Sequence, residues 1–464
     1  MKGAQGGVDA GWATREFERI ELNDGRLERR LWRIAEELSR QPAYPINQAS
    51  EDAAATKAAY RFFDNEKVTA AKIFSTHRER TVQRMRDEPV VLAIQDTTFL
   101  NFTGHRKTRG LGPIGDSKRN AQGLIVHSCL AVTPYGLPLG VISHACWART
   151  GYRESDNVQE EIPIEEKESY RWIETLRETT KLSVSHANSM VVTVADRESD
   201  IYEFLLEAQA MNAKYVIRAC HDRHLHHAEY DRLQEYLRSV EAAGVVEIDV
   251  PTQNRRASLE LRFVPVTLRP PERMTRSKTK WHVPCWVIHV CETVAPARSD
   301  PLTWTLLTNI PVTSLEQAIE QLGWYRRRWS IEEYHKILKS GCTVEDCRLQ
   351  TAERLTKYIA LIAVIGWRIF WMVHVSRADP SARAEIALTK VEIRTLCSLQ
   401  RFKSKLAPEK SLTIKQAIIA VACLGGYLNR KNDRPPGATV LWRGWQRLSS
   451  MSELYESMAD GWGE

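Results

Sequence analysis

The stretch Tyr325–Lys339 reads YRRRWSIEEYHKILK and lacks glycine and proline, which predicts one continuous helix. At 100° per residue, four of its side chains fall within about 60° of arc on one face, with a fifth beside them: Tyr325, Arg328, Glu332 and Lys339, then Lys336. Such a face suits a metal ion beside a phosphate backbone, because the carboxylate would hold the metal and the cations would neutralise phosphates. The same charges could instead form a solvated surface with i,i+4 pairs.

Length and composition describe an ordinary soluble globular protein. The chain has 464 residues, of which 43% are apolar and 27% are charged, and this length allows about two to four domains with large cores. The formal net charge of +7 is compatible with a polyanionic partner but does not require one. Composition therefore favours a folded protein and leaves its partner open.

The cysteines and apolar runs predict the compartment. Nine cysteines are scattered without a disulfide framework or zinc-knuckle spacing, so we expect a reduced, cytoplasmic protein. The polar first 20 residues do not have the pattern of a signal peptide. Arg368 interrupts the most apolar run, Tyr358–Val375, so that run predicts a buried core helix and no membrane span.

Two aspartates follow short apolar runs that have the pattern of buried strands. The run from Pro89 leads into Asp96, and the run from Met190 leads into Asp196. Further strands and helices are predicted around them: strands at 124–133, 137–147 and 214–219, and helices at 165–180 and 200–211. The resulting order is β-β-β-α-β-α-β.

Neighbouring strand ends lie side by side in an open sheet, so Asp96 and Asp196 could meet there, and a covering helix could add Glu332. Three carboxylates at one point would repel unless divalent cations lay between them. Two such ions stabilise the attacking and leaving oxygens of a phosphoryl displacement. Each aspartate taken alone could instead cap a turn or a helix.

Changes in composition and hydrophobic periodicity along the chain predict three domains. Residues 1–70 are helical and basic, which suits either a small DNA-binding module or a plain helical cap. Residues 71–370 carry the α/β pattern, interrupted at about 220–310 by strand-like runs between Pro-rich and Arg-rich turns, and this interruption predicts an inserted β-rich subdomain. Residues 371–464 are mainly helical.

Three further segments carry specific expectations. Asn101–Gly123 is glycine-rich and holds Lys107, Arg109, Lys118 and Arg119, which predicts a mobile basic loop. His221–His227 contains four histidines and could bind a metal, but an exposed loop is the simpler interpretation. The last helix carries an apolar stripe, which could dock on its own core or pair with a second subunit: Trp445, Leu448, Met451, Tyr455 and Met458.

These motifs resemble the DDE transposases of bacterial insertion sequences, in the insertion-sequence-four group that includes the transposon-five type. The group signature Tyr-x2-Arg-x3-Glu-x6-Lys is matched at every spacing by Tyr325, Arg328, Glu332 and Lys339. The second-acid motif Asp-Arg-Glu-x-Asp matches Asp196–Asp200, and the first acid matches within Ile94–Thr98. The resemblance covers nearly the whole chain and is loosest at residues 1–50 and 220–300.

The resemblance implies an α/β fold with an RNase H-like catalytic core, a β-rich insertion, an N-terminal helical DNA-binding domain and a C-terminal helical dimerisation domain. It implies that Asp96, Asp196 and Glu332 hold two Mg²⁺ ions, for which Mn²⁺ would substitute. It further implies a set of residues that contact end DNA: Tyr325, Arg328, Lys336, Lys339, Trp304, Arg218, Arg348, Arg61 and Arg30. Among these, Trp304 corresponds to an aromatic that stacks on a flipped base.

The implied function is cut-and-paste transposition. Such an enzyme binds the terminal inverted repeats, cleaves them through a hairpin intermediate and joins the 3′-hydroxyl ends to target DNA. It acts as a homodimer in a synaptic complex, associates with the bacterial nucleoid when bound to DNA, and has no membrane partner. Two alternatives remain at this stage: a related RNase H-like metal-dependent nuclease or resolvase, and a DNA-binding relic without catalysis.

Overall fold

The structure is a computed structural model that describes residues 11–115, 120–151, 162–185, 189–250, 255–275, 281–294, 300–402 and 405–460. Lys118 and Arg119 of the predicted basic loop lie outside these residues. Within the described part of that loop, Gly112–Ile114 forms a short strand that the sequence did not predict.

Ten strands form one mixed sheet. In chain order they are β1 (Val90–Asn101), β2 (Gly112–Ile114), β3 (Ala121–Val132), β4 (Pro138–Trp147), β5 (Met190–Ala195), β6 (Lys214–Arg218), β7 (Gly244–Val250), β8 (Arg255–Leu268), β9 (Val283–Glu292) and β10 (Thr303–Thr308). Across the sheet the order is β2-β3-β1-β5-β6-β10-β9-β8-β7, and β4 also pairs with β3. Strands β1, β5 and β6 run parallel to one another, and the remaining pairs are antiparallel.

The α-helices pack around this sheet and form both ends of the described part of the chain. In chain order they are α1 (Trp12–Phe17), α2 (Gly25–Arg40), α3 (Ile46–Ala49), α4 (Ala53–Asp64), α5 (Ala70–Met85), α6 (Tyr170–Ser185), α7 (Tyr202–Ala210), α8 (Leu233–Ser239), α9 (Glu272–Thr275), α10 (Leu315–Arg326), α11 (Trp329–Lys336), α12 (Ala352–Ala378), α13 (Lys390–Ser398), α14 (Ile414–Leu424) and α15 (Ala438–Asp460). Side-chain caps start several of them; Asp24, for example, accepts a hydrogen bond from the Arg26 amide at the start of α2. The predicted mixed α/β class, with helical N- and C-terminal regions, is confirmed.

The predicted order β-β-β-α-β-α-β is present as β1, β3, β4, α6, β5, α7 and β6. Its strands form because their apolar runs are buried on both faces; β3 is buried almost throughout. The strands of the insertion, β7 to β10, continue the same sheet, since β10 pairs with β6 through Leu306 and Arg218. Pairing β10 with β6 covers the edge that β6 would otherwise expose.

Helix α12 is the central helix of the main core. It is the one helix in the described ranges that is long and apolar enough to cross a membrane, but 83% of its most apolar window is buried inside the protein. It packs against the N-terminal helices: the rings of Phe63 and Tyr358 lie 5.8 Å apart, and the Lys357 ammonium donates to the Asn65 carbonyl at 3.2 Å. The prediction of a buried core helix at Tyr358–Val375 is confirmed.

The composition of Tyr325–Lys339 predicted one continuous helix, and that prediction is wrong. Helix α10 ends at Arg326, α11 begins at Trp329, and a π-turn follows at Ile337–Gly341. The break is a tight turn in which the Arg327 carbonyl accepts from the Ser330 amide at 2.9 Å. Helix propensity is overridden here because Tyr325 must be buried on the sheet while α11 packs against β1.

The apolar stripe of the terminal helix α15 divides into two halves. Its first half is buried against the protein's own core: Leu441, Trp442, Trp445 and Leu448 are all at most 5% exposed. In this part the backbones of α14 and α15 touch, since a Cβ on Gly444 would lie 1.8 Å from the Val421 carbonyl oxygen. In the second half, a set of large apolar side chains is exposed: Met451, Leu454, Tyr455 and Met458. Core docking therefore accounts for the first half alone.

The structure describes every cysteine and the whole histidine tract. All nine cysteines are free. In His221–His227, three histidine side chains are exposed, while Arg223 and Leu225 are buried and anchor the loop. No three His, Cys, Asp or Glu side chains in the described residues are grouped closely enough to hold a metal ion.

Candidate active site

Strand register places the first two acids at one level of the sheet. The parallel strands β1 and β5 pair from Val90 with Met190 to Ile94 with Val194, and Asp96 and Asp196 each lie two residues beyond that last pair. Asp196 follows β5, as predicted, and its carboxylate accepts from the Glu198 amide at 2.9 Å. It therefore caps a short 3₁₀ turn, as well as lying beside Asp96.

The sequence pattern predicted Asp96 at the end of a strand, but the structure places it inside β1. Strand β1 continues to Asn101 because β3 remains its partner, and Asp96 pairs directly with Ser128. Beyond Ile94 the parallel partner β5 no longer pairs with β1. Asp96 therefore lies on a part of β1 that pairs with β3 alone.

Helix α11 carries Glu332, and Arg328 connects this third acid to Asp96. The Arg328 Nη1 atom lies 3.5 Å from Asp96 Oδ2, and its Nη2 atom pairs with Glu332 Oε1. The side chains of Arg328 and Asp96 are 17% and 16% exposed, whereas that of Glu332 is 34% exposed, so the Asp96 half of this double ion pair is the better shielded from water. The first and third acids are thereby linked by one guanidinium.

The carboxylates repel one another in the structure. Burial, followed by the negative charge of Asp196, raises the pKa of Asp96 to about 7. Glu332 adds to the rise, while the Thr97 amide and the Arg328 charge oppose it. An acid held partly protonated near neutral pH by its neighbours is typical of a functional site.

The three carboxylates fit a divalent metal by donor type and by electrostatics. Carboxylate oxygens are the ligands that Mg²⁺ prefers, and a cation would stabilise the ionised form of Asp96, whose pKa burial and then the charge of Asp196 raise. The described residues contain no ready-made metal cluster of three such side chains. The Arg328 guanidinium, which pairs with both Asp96 and Glu332, supplies the positive charge between them.

An aromatic and cationic group lies beside the acids. Tyr325 is 5% exposed, and its ring meets that of half-buried Trp304 edge to face, with centroids 5.9 Å apart. Arg218 lies beside Tyr325; burial lowers its pKa and the tyrosine opposes that effect. Arg218 also donates to the Thr303 carbonyl at 3.1 Å, which fixes it next to Trp304.

The remaining predicted DNA contacts are distributed more widely. Lys336 is exposed on α11, and Lys339 is half-buried in the π-turn, where burial lowers its pKa and Glu345 opposes that effect. Arg30 and Arg61 lie on α2 and α4 of the N-terminal helices, and exposed Arg348 follows the π-turn. In the described residues none of these cations pairs with the three acids, so they can extend the charge away from the centre.

Comparison with family models shows the class of protein to which the chain belongs. Three family models match in chain order: transposase DNA-binding at residues 9–68, transposase DDE domain at residues 170–365, and transposase Tn5 dimerisation domain at residues 364–458. The chain belongs to the Tn5-type DDE transposases. The transposase is also similar to a solved piggyBac transposase synaptic complex with hairpin DNA, at 12% identity and a TM-score of 0.34, over 79% of this chain and 72% of that one. A similarity at that level adds nothing to the assignment.

The DDE model begins at residue 170 and so covers Asp196 and Glu332 but not Asp96. Asp96 is placed in the site by register and by its contacts with Arg328. The predicted domain limits stay predictions; α12 runs through the predicted limit at residue 370, and the dimerisation model begins inside the same helix.

Sequence reasoning missed a buried polar group on the other face of β1. Gln95 and Thr97 flank Asp96, and His127 of β3 bridges them, with contacts of 3.3 Å to Gln95 Oε1 and 2.9 Å to Thr97 Oγ1. Arg171 of α6 donates to the same Thr97 hydroxyl at 3.0 Å. The available signal was a single histidine within the apolar run of β3.

Two buried histidines should lower the stability of the transposase in acid. Burial lowers the pKa of His144 to about 4 and of His335 to about 3, whereas both take an ordinary value near 6.5 when unfolded. The unfolded chain therefore binds protons below pH 6.5 that the folded chain does not, and stability is lost as pH falls through this window. Each histidine should lower the free energy of unfolding by about 2 kcal/mol between pH 7.5 and pH 5.

The test is the free energy of unfolding at pH 7.5 and at pH 5.0. A His144→Phe/His335→Phe double variant should lose about 4 kcal/mol less than the wild type over this interval. Asp96 titrates in the opposite direction in both proteins, so its effect cancels in the comparison. An equal loss in both proteins would show that these histidines are already charged in the fold.

Proposed function

We propose that the transposase performs cut-and-paste transposition at the ends of its own element, with Asp96, Asp196 and Glu332 as metal ligands. The observation that carries the proposal is the convergence of three carboxylates from β1, β5 and α11, with the pKa of Asp96 raised by burial and by the charges of the other two. Family members of this kind depend on divalent metals.

Two Mg²⁺ ions, or Mn²⁺ in their place, would supply activation of the attacking oxygen and stabilisation of the leaving one. The protein's own residues supply position. Arg328, now paired with Asp96 and Glu332, would turn to a backbone phosphate as the metals arrive, because both partners would then have a stronger counter-charge. Its role in the DNA-free protein is to hold the acids together.

Tyr325 is assigned to phosphate binding and not to nucleophilic attack. Its hydroxyl lies beside Arg218, and burial raises its pKa, so it stays protonated and can donate a hydrogen bond. A metal-dependent displacement needs no covalent protein–DNA intermediate. Lys336 and Lys339 would hold neighbouring phosphates, while Arg30, Arg61 and Arg348 would extend the contact along the end DNA.

The proposed reaction sequence starts with hydrolysis at the element end, which releases a 3′-hydroxyl. That hydroxyl attacks the opposite strand to form a hairpin, which is then opened and joined to target DNA. Hairpin formation requires a strongly bent strand end, and a base unstacked there needs an aromatic partner. Trp304 is half-buried beside Tyr325 and keeps part of its ring free for this purpose.

Trp304→Ala should reduce hairpin formation about 5- to 150-fold more than it reduces first-strand nicking, because a stack on one base is worth about 1–3 kcal/mol. The matched control is Trp286→Ala, since Trp286 is a half-buried tryptophan of the neighbouring strand β9. Nicked and hairpin products separate on denaturing gels. Equal loss of both steps in Trp304→Ala would assign that ring to folding instead.

The exposed half of α15 is the proposed dimer contact. A Leu454→Glu/Met458→Glu double variant should bind one end normally but lose paired-end complexes, because two charges would enter a self-complementary apolar contact. These positions are preferable to truncation after Gly437, which would remove the buried Trp442 and Trp445. Native gels measure both complexes; wild-type yield of paired ends would exclude this contact.

The test of the whole proposal is a reaction with purified protein, Mg²⁺ and DNA carrying the terminal repeats that flank its gene. We expect cleaved ends and their joining to a second DNA. Cleavage without joining would favour a nuclease or resolvase, and binding without cleavage would favour a catalytically inactive relic. In cells we expect action in the bacterial cytoplasm, on the nucleoid.

A further inference from the structure

We propose that His127 is a positioning residue that holds the backbone of β1 at Asp96 and links that acid to the turn that carries Asp196. The inference rests on the proposed function, because it gives His127 a part in setting the geometry of the metal-binding carboxylates. His127 is 1% exposed and lies on the sheet face opposite the Asp96 carboxylate, so it does not touch substrate itself.

The register of β1 and β3 gives His127 this reach. Thr97 pairs directly with His127, while Asp96 pairs with Ser128. Side chains alternate along a strand, so Gln95 and Thr97 share the face of His127 and Asp96 lies on the other. Because β5 stops pairing with β1 at residue 94, the strand beyond that point depends on β3 and on its side-chain contacts.

The hydrogen bonds around His127 have a determined direction. Arg171 can only donate, and its Nε donates to Thr97 Oγ1 at 3.0 Å. Gln95 Oε1 can only accept, so His127 carries its proton on Nε2 and donates it there at 3.3 Å. Nδ1 of the neutral ring then accepts the Thr97 hydroxyl proton at 2.9 Å. One neutral ring thus clamps both neighbours of Asp96.

The same chain of contacts reaches both acids. The Thr97 amide donates to Asp96 Oδ1 at 2.7 Å. On the other side, Arg171 Nη2 lies 3.5 Å from Glu198 Oε2, and the Glu198 amide donates to Asp196 Oδ1 at 2.9 Å. Catalytic groups must be held within about 0.5 Å of their working positions. A clamp that connects the two segments can therefore set the separation of their carboxylates.

The competing role for His127 is simple packing, since its ring meets Trp172 edge to face at 4.8 Å. The chain offers a matched control for that role. His289 of β9 makes the same kind of bond across a strand pair, with Nδ1 3.0 Å from Thr305 Oγ1, but it belongs to the insertion. A variant of His289 thus shows the effect of losing a histidine–threonine hydrogen bond elsewhere in the sheet, and a variant of His127 shows the effect of losing the bond beside Asp96.

The experiment compares His127→Phe, which keeps a ring against Trp172 but removes both hydrogen bonds, with His127→Asn, whose Oδ1 can accept from Thr97 in place of Nδ1. Mn²⁺ binding to the complex with end DNA is measured by electron paramagnetic resonance, and the Mg²⁺ concentration for half-maximal cleavage is measured in parallel. Outer partners of metal ligands typically contribute about 10–100-fold in affinity.

We expect His127→Phe to weaken Mn²⁺ binding and raise the half-maximal Mg²⁺ concentration at least about tenfold, with end-DNA affinity unchanged and partial recovery in His127→Asn. His289→Phe should bind Mn²⁺ like the wild type. If folded His127→Phe also binds Mn²⁺ like the wild type, the inference is overturned. If His127→Phe does not fold, Thr97→Val makes the same test.

Asp96→Asn separates the two proposals. Loss of Mn²⁺ binding in Asp96→Asn, together with wild-type binding in His127→Phe, overturns the positioning role alone. Wild-type Mn²⁺ binding in Asp96→Asn would overturn the proposed function of the acids, whatever His127 does.

Discussion

Asp96→Asn, Asp196→Asn and Glu332→Gln should each reduce end cleavage by about three orders of magnitude or more, with affinity for end DNA nearly unchanged. Metal-dependent stabilisation of a phosphoryl transition state is worth several kcal/mol, and each 1.36 kcal/mol is about a tenfold change in rate. Binding depends instead on phosphate contacts from the surrounding cations. The amide variants keep the side-chain shape, so folding is little disturbed.

The matched control is Glu333→Gln, since Glu333 neighbours Glu332 on α11, is exposed and faces His374 at 3.7 Å. Its cleavage rate should stay within about twofold of the wild type, as expected for an exposed surface substitution. Cleavage is measured on labelled end DNA under single-turnover conditions, and binding by titration in Ca²⁺. Robust cleavage by any of the three acid variants would remove that acid from the catalytic set.

Asp96→Asn and Asp200→Asn should change stability in opposite directions, although both acids lie beyond the last parallel pair of β1 and β5. The pKa of Asp96 is raised to about 7 in the fold, against about 3.9 in an unfolded chain. The ionised form is therefore destabilising above pH 7, and this penalty disappears as pH falls toward 4. At pH 8 without metal, Asp96→Asn should stabilise the protein by up to about 4 kcal/mol.

Asp200 is fully paired. Its carboxylate binds the guanidinium of buried Arg223 at 2.5 Å and accepts from the Cys220 and His221 amides at 2.7 and 3.0 Å. Asp200→Asn leaves the Arg223 charge buried without a counter-ion, which costs about 3–5 kcal/mol. The motif Asp196–Asp200 thus contains one acid proposed for catalysis and one acid that secures the loop after β6.

Urea or thermal unfolding at pH 8 measures both variants. Addition of Mn²⁺ should stabilise the wild type but not Asp96→Asn, because a ligand stabilises only a fold that binds it. The opposite result, a destabilised Asp96→Asn that still gains stability from Mn²⁺, would mark Asp96 as a structural acid.

The strands were predictable because their signals are local. A buried strand needs a run of apolar residues, so β1, β3, β4, β5 and β6 appear directly in the sequence. The signature residues Tyr325, Arg328, Glu332 and Lys339 were recognisable from spacing alone. Family matches confirm the transposase type for which that spacing is characteristic.

The break between α10 and α11 was not predictable, since nothing in YRRRWSIEEYHKILK disfavours a helix. The turn exists because Tyr325 packs beside Trp304 while Glu332 must reach Arg328 and the acids on the sheet. Contacts between segments that are distant in the chain also decide two other features. These are the pairing of β10 with β6 and the division of α15 into a buried and an exposed half.

By itself, the sequence determined in what order the strands occur, because composition and periodicity act over short windows. It also singled out, through its resemblance to a family signature, the acids and cations that are proposed to carry the chemistry. Only the tertiary structure decided that Asp96 lies inside a strand, that Arg328 joins two acids, and that His127 clamps the residues on both sides of Asp96. Each of these depends on strand register and burial between segments far apart in the chain, where packing outweighs local preference.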